Sequence, residues 1–290
     1  MEVAKIIKSM EKEDFRVLRA IERGMRRAAS VKMSDICFFS KLKMEEVLFR
    51  LNKVHKNNLI IRDSTGEISY KLNSIGYDML AFHILVGQGI ISQLGVEIGK
   101  GKEADVYKCI NDDNEEMTMK IFRIGRTSFR KVKQLRIFVG ERRHFSWLYI
   151  NRLAAMREYE ALSKIAPLGL NIPKPIGINR HIIIMEFIEG TELNNLIDIE
   201  DPVFIFEDII NQISIIYKNA GIIHGDLGEF NVLINSEGDI LIIDWPQWVP
   251  KSHPNGLSIL KRDIENICSF FKKRFNVESN AEEILKSIIS

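Results

Sequence analysis

The chain has 290 residues, of which 46% are hydrophobic and 28% are charged, and its formal net charge is +2. This balance is typical of an ordinary soluble globular protein of about two domains. The most apolar stretch, residues 78–91, is interrupted by His83 and Gln88 and falls short of the roughly 18 apolar residues of a membrane span. No signal peptide is apparent, and the three cysteines show no metal-ligand spacing. We therefore expect a cytoplasmic protein with reduced thiols and no membrane partner.

Residues 1–90 are predicted to form a small domain of short helices followed by a strand pair. Hydrophobic periodicity predicts helices at 14–27, 33–39 and 44–57. Two short runs, 59–62 and 68–72, flank a polar turn and are typical of strands. This order of elements predicts a winged helix-turn-helix domain.

The third of these helices carries a candidate nucleic-acid contact. Its predicted apolar stripe consists of Met44, Val47, Leu48, Leu51 and Val54. The opposite face is then formed by Phe49, Lys53 and Lys56, where an aromatic ring could stack on a base while the amines meet phosphates. The alternative is that Phe49 packs against another part of the same protein.

After a predicted helix at 74–88, the periodicity changes to that of strands around a glycine turn. The candidate phosphate-covering residues of this hairpin are Gly99, Lys100, Gly101, Lys102, Glu103, Ala104 and Val106. Glycines let backbone amides approach phosphates closely. Ala104 stands where the protein-kinase pattern has its third glycine, so a plain β-turn is an equally good interpretation of the hairpin alone.

The next elements repeat the order of nucleotide-binding parts in protein kinases. The strand at 117–122 presents Lys120 for the α- and β-phosphates, and the helix at 151–165 offers Glu158 as its partner. An incidental ion pair is the alternative for these two residues. The apolar strand that begins at 182 turns polar near 190, which predicts a hinge whose backbone at Glu186 and Ile188 bonds adenine.

The most specific pattern lies near the end of the chain. Asn231 follows Asp226 by five residues, and Asp244 follows Asn231 by thirteen, which are the intervals of the kinase catalytic loop and its metal-binding aspartate. We expect Asp226 to orient the nucleophile or accept its proton. Asn231 and Asp244 offer hard oxygen ligands for Mg²⁺, or for Mn²⁺ in its place, and ATP is the expected cofactor. His224 is interpreted as a structural brace of the loop.

Together these motifs resemble the RIO atypical protein kinases, and the N-terminal winged helix resembles the subfamily called RIO kinase two. The resemblance rests on residues 99–106, 127–133, 224–231 and 243–246. It implies an α+β fold, in which the winged helix is followed by a truncated bilobal kinase-like RIO domain at 91–290. The N-lobe would span about 91–184, the hinge 185–190 and the C-lobe 191–290. Residues 123–143 match the family's basic loop.

The resemblance also implies a function. It predicts a serine/threonine kinase and ATPase that acts in small ribosomal subunit maturation, with the subunit precursor and its rRNA as partners. It implies that Asp244 could become an aspartyl-phosphate. By resemblance to the kinase core, Asp263 could hold the catalytic loop's backbone, and an ordinary helix carboxylate is the alternative. The stretch after Asp244 is too short for a peptide-binding lobe, so ATP hydrolysis is expected to exceed peptide phosphorylation. The alternatives are a small-molecule phosphotransferase of the aminoglycoside or choline kinase type and a non-enzymatic RNA-binding assembly factor.

Overall fold

The computed structural model describes residues 6–101, 103–124 and 147–290. These residues divide into two compact units, one comprising Met1–Leu153 with Gly177–Ile183 and the other Ala154–Ile176 with Ile184–Ser290. Lys102, Ser128 and the predicted basic loop from residue 125 onward lie outside the described residues. Within the described ranges, no helix is both long enough and apolar enough to cross a membrane.

The first unit begins with the predicted winged helix. Its helices are α1 (Lys12–Gly24), α2 (Met33–Ser40) and α3 (Met44–Lys56), and its strands are β1 (Val31–Lys32), β2 (Ile60–Asp63) and β3 (Ser69–Leu72). The strands form a sheet in the order β1-β3-β2. Helix α1 begins with a capping box in which Glu11 and Asp14 satisfy each other's backbone amides. Val17, Leu18 and Ile21 of α1 are buried and form part of the core.

The buried face of α3 differs from the predicted stripe. Met44 and Leu48 are 62% and 45% exposed, whereas Arg50 is only 8% exposed. The reason is Asp14, which is fully buried and whose carboxylate lies 3.2 Å from the Arg50 guanidinium and 2.7 Å from the Lys53 ammonium. Because a buried carboxylate needs charged partners, it turns these two cations toward α1. The prediction that Lys53 lies on the face opposite the core is therefore wrong.

The same unit continues into a helix and a sheet. Helix α4 (Ser74–Gly87) starts at Asn73, whose side chain accepts the Gly76 N–H. Strands β4 (Gln93–Lys100), β5 (Ala104–Ile110) and β6 (Glu116–Phe122) then pair antiparallel, and the five-stranded sheet is completed by β7 (Pro175–Asn179) and β8 (Ile182–Glu186) in the order β4-β5-β6-β8-β7. The first unit includes residues 177–183 of the last two strands.

A buried ionic cluster connects helix α4 to this sheet. The Arg123 guanidinium donates to both carboxylate oxygens of Asp78 on α4 at 2.6 Å and to Asp105 on β5 at 3.2 Å. His181 lies 2.7 Å from the same Asp78, and all three acidic or imidazole groups are less than 5% exposed. Burial lowers the pKa of His181, and the Asp78 pKa is also lowered because His181 and Arg123 outweigh its desolvation. The cluster therefore consists of neutral His181 and ionised Asp78 beside Arg123.

The second unit is mostly helical. It contains the later part of α5 (Trp147–Ile165), together with α6 (Pro202–Ile215), α7 (Gly256–Phe275) and α8 (Ala281–Ile289). Its short strands are β9 (Thr191–Glu192), β10 (Ile222–Ile223), β11 (Val232–Ile234), β12 (Ile240–Ile242) and β13 (Val249–Pro250). Strands β12, β11 and β9 form one sheet, and β10 pairs with β13. The β11–β12 hairpin positions the candidate site, because Asn231 immediately precedes it and Asp244 follows two residues after it.

Candidate active site

The loop between β10 and β11 carries Asp226 and has a backbone shape that requires glycine at its start. Gly225 has φ +84°, a region that residues with a side chain rarely adopt. A Cβ at this position would lie 2.5 Å from the Gln247 carbonyl oxygen. Only glycine therefore allows this loop to pack directly against the chain that follows Asp244.

His224 braces this loop, as predicted. Its Nε2 lies 2.9 Å from the Ile243 carbonyl oxygen, and its Nδ1 lies 3.3 Å from the Asp226 backbone nitrogen. A carbonyl only accepts and an amide only donates, so the ring is assigned as the tautomer protonated on Nε2. His224 thus ties the segment before Asp244 to the backbone of Asp226.

Asp263 on α7 binds the backbone of the loop that carries Asp226, which confirms the predicted contact. Its Oδ2 accepts the Gly225 N–H at 2.7 Å, and the side chain is 1% exposed. Burial raises the pKa of this carboxyl, against opposing effects of His224, the Gly225 amide and Arg262. Arg262 also donates to the Gly225 carbonyl. Two side chains of α7 therefore bind both backbone groups of Gly225, its N–H and its carbonyl.

Asn231 closes the loop on Asp226. Its Nδ2 donates to the Asp226 carbonyl oxygen at 2.7 Å, and its own backbone N–H donates to Gly228 at 3.0 Å. With the nitrogen engaged in this way, Oδ1 is the atom that the side chain can offer to a metal ion. The arrangement fixes which end of the amide faces a ligand.

A backbone hydrogen bond next to the β11–β12 hairpin places Asp244 beside Asn231. The Ile243 N–H donates to the Asn231 carbonyl at 3.0 Å, which continues the β11–β12 ladder by one step and brings the next residue, Asp244, close to Asn231. Asp244 has φ +68°, an uncommon conformation for a residue with a side chain. Such strain is concentrated at functional sites. The carboxylate of Asp244 and the amide oxygen of Asn231 are ligand types that suit Mg²⁺.

The segment after Asp244 is held by Trp245, which belongs to the motif at 243–246, and by Arg157 and Trp248, which the sequence did not indicate. The Trp245 ring is 1% exposed and donates from Nε1 to the Ile242 carbonyl at 3.0 Å. Arg157 on α5 donates to the carbonyl of Pro246 at 2.8 Å and to that of Trp248. Trp248 donates back to the Arg157 carbonyl at 2.8 Å. No local signal marks Arg157, because its partners are 89 and 91 residues away.

Two further predicted site residues, Glu158 and Glu186, belong to the second unit. Glu158 follows Arg157 on α5 and is 2% exposed. Glu186 ends β8, and its backbone N–H donates to the Lys174 carbonyl at 2.9 Å. Beyond it, residues 187–190 carry no regular secondary structure. The hinge at Glu186 and Ile188, and its contact with adenine, stay predictions.

The hairpin and lysine strand belong to the first unit. The hairpin turn is closed by the Gly101 N–H, which donates to the Ala104 carbonyl at 2.8 Å. Val106 pairs with Lys120 across β5 and β6, so the lysine lies on the strand next to the hairpin. Ala104 is 7% exposed and pairs with Phe122, so a methyl group there is accommodated. Because Lys120 and Glu158 fall in different units, their pairing stays a prediction.

The first unit carries a glycine hairpin and a lysine strand, and the second carries an Asp-Asn-Asp loop; these elements are typical of the kinase-like fold class. Two family models match the chain: one described as "RIO domain" over residues 105–284 and one described as "Rio2, N-terminal" over residues 7–88. The chain belongs to the Rio2 branch of the RIO kinase family. This confirms the resemblance and the fold class of a winged helix followed by a kinase-like RIO domain. The domain boundary near residue 90 stays a prediction.

Individual relatives support this assignment over most of the chain. The serine/threonine-protein kinase rio2 of Dictyostelium discoideum is 40% identical over 94% of the chain, which spans only 52% of that relative. The RIO-type serine/threonine-protein kinase Rio2 of Methanocaldococcus jannaschii is 39% identical over 90% of the chain and 96% of its own length. A crystal structure of the Chaetomium thermophilum Rio2 kinase, in a complex with ADP/Mg²⁺ and phosphoaspartate, matches 98% of this chain and 88% of its own with TM-score 0.83 and 30% identity.

Proposed function

We propose that this protein is an ATP- and Mg²⁺-dependent atypical serine/threonine kinase and ATPase. The observation that carries the proposal is the hydrogen-bonded loop in which Asn231 holds the Asp226 backbone and the β11–β12 ladder brings Asp244 beside it. The similar proteins named serine/threonine-protein kinases support the reaction class. The Chaetomium thermophilum complex supports a nucleotide with Mg²⁺ as the ligand.

Each residue then has a defined task in phosphoryl transfer. Asn231 Oδ1 and the Asp244 carboxylate would hold Mg²⁺, which neutralises charge on the phosphates when bound. Asp226 orients the attacking hydroxyl or water and accepts its proton. The amides of the glycine hairpin and the Lys120 ammonium would bind the phosphate chain, and the backbone at Glu186 and Ile188 would bind adenine.

Asp244 is proposed to serve also as a nucleophile. One of its carboxylate oxygens would attack the γ-phosphorus, forming an acyl-phosphate as the bond to the β-phosphate oxygen breaks and ADP leaves. Water would then hydrolyse the acyl-phosphate to inorganic phosphate and restore the carboxylate. The phosphoaspartate in the Chaetomium thermophilum complex supports this route. This route would lead to the predicted excess of ATP hydrolysis over phosphorylation of peptides.

The test is ATP turnover by the purified chain, with and without Mg²⁺. Asp226→Ala is expected to lower kcat by about 10²–10⁴-fold while ATP still binds, since general acid–base groups contribute on that order. Asp244→Asn is expected to abolish a hydroxylamine-sensitive phosphoprotein as well as turnover. The exposed turn residue Asp112 supplies a matched control, Asp112→Asn, which should behave as wild type. Equal turnover by wild type and Asp226→Ala would contradict the proposal, and transfer to an aminoglycoside or choline would favour the small-molecule alternative.

The partner is proposed to be the small ribosomal subunit precursor, in the cytoplasm, contacted through the winged helix. Phe49 is 59% exposed and Lys56 is exposed, so both are accessible to RNA. Lys53 is engaged by Glu11 and Asp14, so its ammonium is a weaker candidate for a phosphate contact. In-cell crosslinking followed by sequencing tests this proposal. Recovery of pre-ribosomal RNA with wild type, and less with Phe49→Ala, is expected; no enrichment of that RNA would contradict it.

A further inference from the structure

Gln247, three residues after Asp244, reaches the carboxylate of Asp226. Its Nε2 donates to Asp226 Oδ2 at 3.1 Å. The two residues are 21 positions apart in the sequence. Asp226 precedes the β11–β12 hairpin, and Gln247 follows it. Of the two polar ends of this amide, the donor is the one directed at the residue expected to orient the nucleophile.

The backbone of Gln247 is held on both sides by one side chain. Arg157 donates to the carbonyl of the residue before it, Pro246, and to that of the residue after it, Trp248. The Arg157 guanidinium also stacks over the Trp248 ring at 5.1 Å, and Trp248 returns a hydrogen bond to the Arg157 carbonyl. Such mutual contacts leave the peptide units around Gln247 little freedom to rotate.

A third contact fixes Gln247 against the catalytic loop itself. Its carbonyl oxygen occupies the space that a side chain at position 225 would need, and Gly225 is the residue directly before Asp226. The loop and the segment after Asp244 are therefore packed backbone to backbone. The distance between the Gln247 amide and the Asp226 carboxylate is set by rigid main chain on both sides.

We propose that Gln247 is a positioning residue for phosphoryl transfer, which holds the Asp226 carboxylate in one orientation through Oδ2 and so aims the other oxygen, Oδ1, at the attacking hydroxyl or water. The inference rests on the proposed function. An aspartate carboxylate rotates easily about its last torsion, because that torsion has broad preferences. A donor held in place by the main chain restricts this rotation. A neutral amide does so without adding a positive charge, which would make the carboxylate a weaker proton acceptor.

The same geometry links Asp226 to helix α5. Arg157 precedes Glu158, the residue predicted to pair with the nucleotide-binding lysine, and it also clamps the carbonyls around Gln247. A displacement of this part of α5 would therefore move Gln247 and release Asp226. Arg157 would therefore act on Asp226 only indirectly, by holding the backbone around Gln247.

The test compares kcat and the ATP dissociation constant for variants of Gln247. Gln247→Met keeps the length of the side chain but removes the donor, and we expect kcat to fall about ten- to hundredfold with ATP binding within about twofold of wild type. Gln247→Glu keeps the shape and places a like charge beside Asp226, so it should be slower still. Gln88→Met, at the exposed glutamine that directly follows α4, is the control and should match wild type.

A double-mutant cycle separates positioning from a general structural role. In an Asp226→Ala background, Gln247→Met should cause no further loss of the residual turnover, because the group that it positions is gone. A further loss of the same size in that background would overturn the inference, and so would a wild-type kcat for Gln247→Met. These results would leave the proposed function intact, since the wild-type rate and its loss in Asp226→Ala are measured separately.

Discussion

Replacing Gly225 by alanine tests the packing of the catalytic loop most directly. Two effects add at this position: the left-handed backbone at φ +84° and a Cβ placed 2.5 Å from the Gln247 carbonyl oxygen, a distance that real Cβ atoms essentially never show. The clashing atom is the Gln247 backbone oxygen, and Arg157 holds the carbonyls of the residues before and after it. This backbone therefore cannot move away easily. The loop that carries Asp226 must therefore shift.

The magnitude follows by comparison with Gly238, which has nearly the same backbone angle, φ +86°, but no atom within 4 Å of an added Cβ. Gly238→Ala should therefore cost only the left-handed strain, about 1–2 kcal/mol of unfolding free energy. Gly225→Ala should cost a further ~1–3 kcal/mol, the usual penalty for overpacking. Because a misplacement of about 1 Å in a catalytic group can cost 10²-fold, turnover should fall by about that factor in Gly225→Ala alone.

The assay combines urea unfolding with steady-state ATP turnover for the two variants and wild type. Gly238→Ala should retain wild-type turnover despite its lower stability, which separates strain from displacement of the site. If Gly225→Ala proved no less stable than Gly238→Ala and kept a wild-type rate, the contact between the loop and Gln247 would not exist as described.

Three further outcomes are expected from the charged groups of the first unit. Arg123→Met should lower the free energy of unfolding in urea by about 3–5 kcal/mol, since it leaves Asp78 buried without its guanidinium; a loss below 1 kcal/mol would argue against the cluster. Because burial holds the pKa of His181 below that of an unfolded histidine, near 6.5, its stabilising contribution is complete above that pH and decreases as the pH falls through it; His181→Phe should flatten the stability profile between about pH 7 and 5. Lys53→Met should cost about 1–3 kcal/mol in the same urea assay, because it takes a charged partner from the buried Asp14, and an unchanged midpoint would show that the pair contributes nothing.

Much of the fold could be predicted because local signals and tertiary structure agree. Helix α3, for example, was expected at 44–57 and is found at Met44–Lys56. Helix α4 was expected at 74–88 and is found at Ser74–Gly87, where the Asn73 side chain caps the first turn. Helix α5 shows where such signals mislead. The helix was expected to start at residue 151, but residues 147–150 are already helical, and the Asn151 side chain accepts the Ile124 N–H at 2.6 Å. A capping residue can be taken over by a distant partner that a local pattern does not show.

The face of α3 was predicted less well for a related reason. Periodicity assigns apolar residues to the core, and it therefore favoured Leu48 over Arg50. The structure buries Arg50 because the capping box of α1 places the Asp14 carboxylate inside, 36 residues earlier in the chain. A buried charge selects its partners by distance in space, which hydrophobic pattern alone does not encode.

By itself, the sequence determined the family, the order of elements and the spacing of Asp226, Asn231 and Asp244, since spacing along a loop and hairpin is a local property. Only the tertiary structure decided what surrounds these residues. The Gln247 amide at Asp226 and the Arg157 clamp join positions 21 and about 90 residues apart. Such contacts arise because packing brings distant backbone together, and their partners become visible only when the chain is folded.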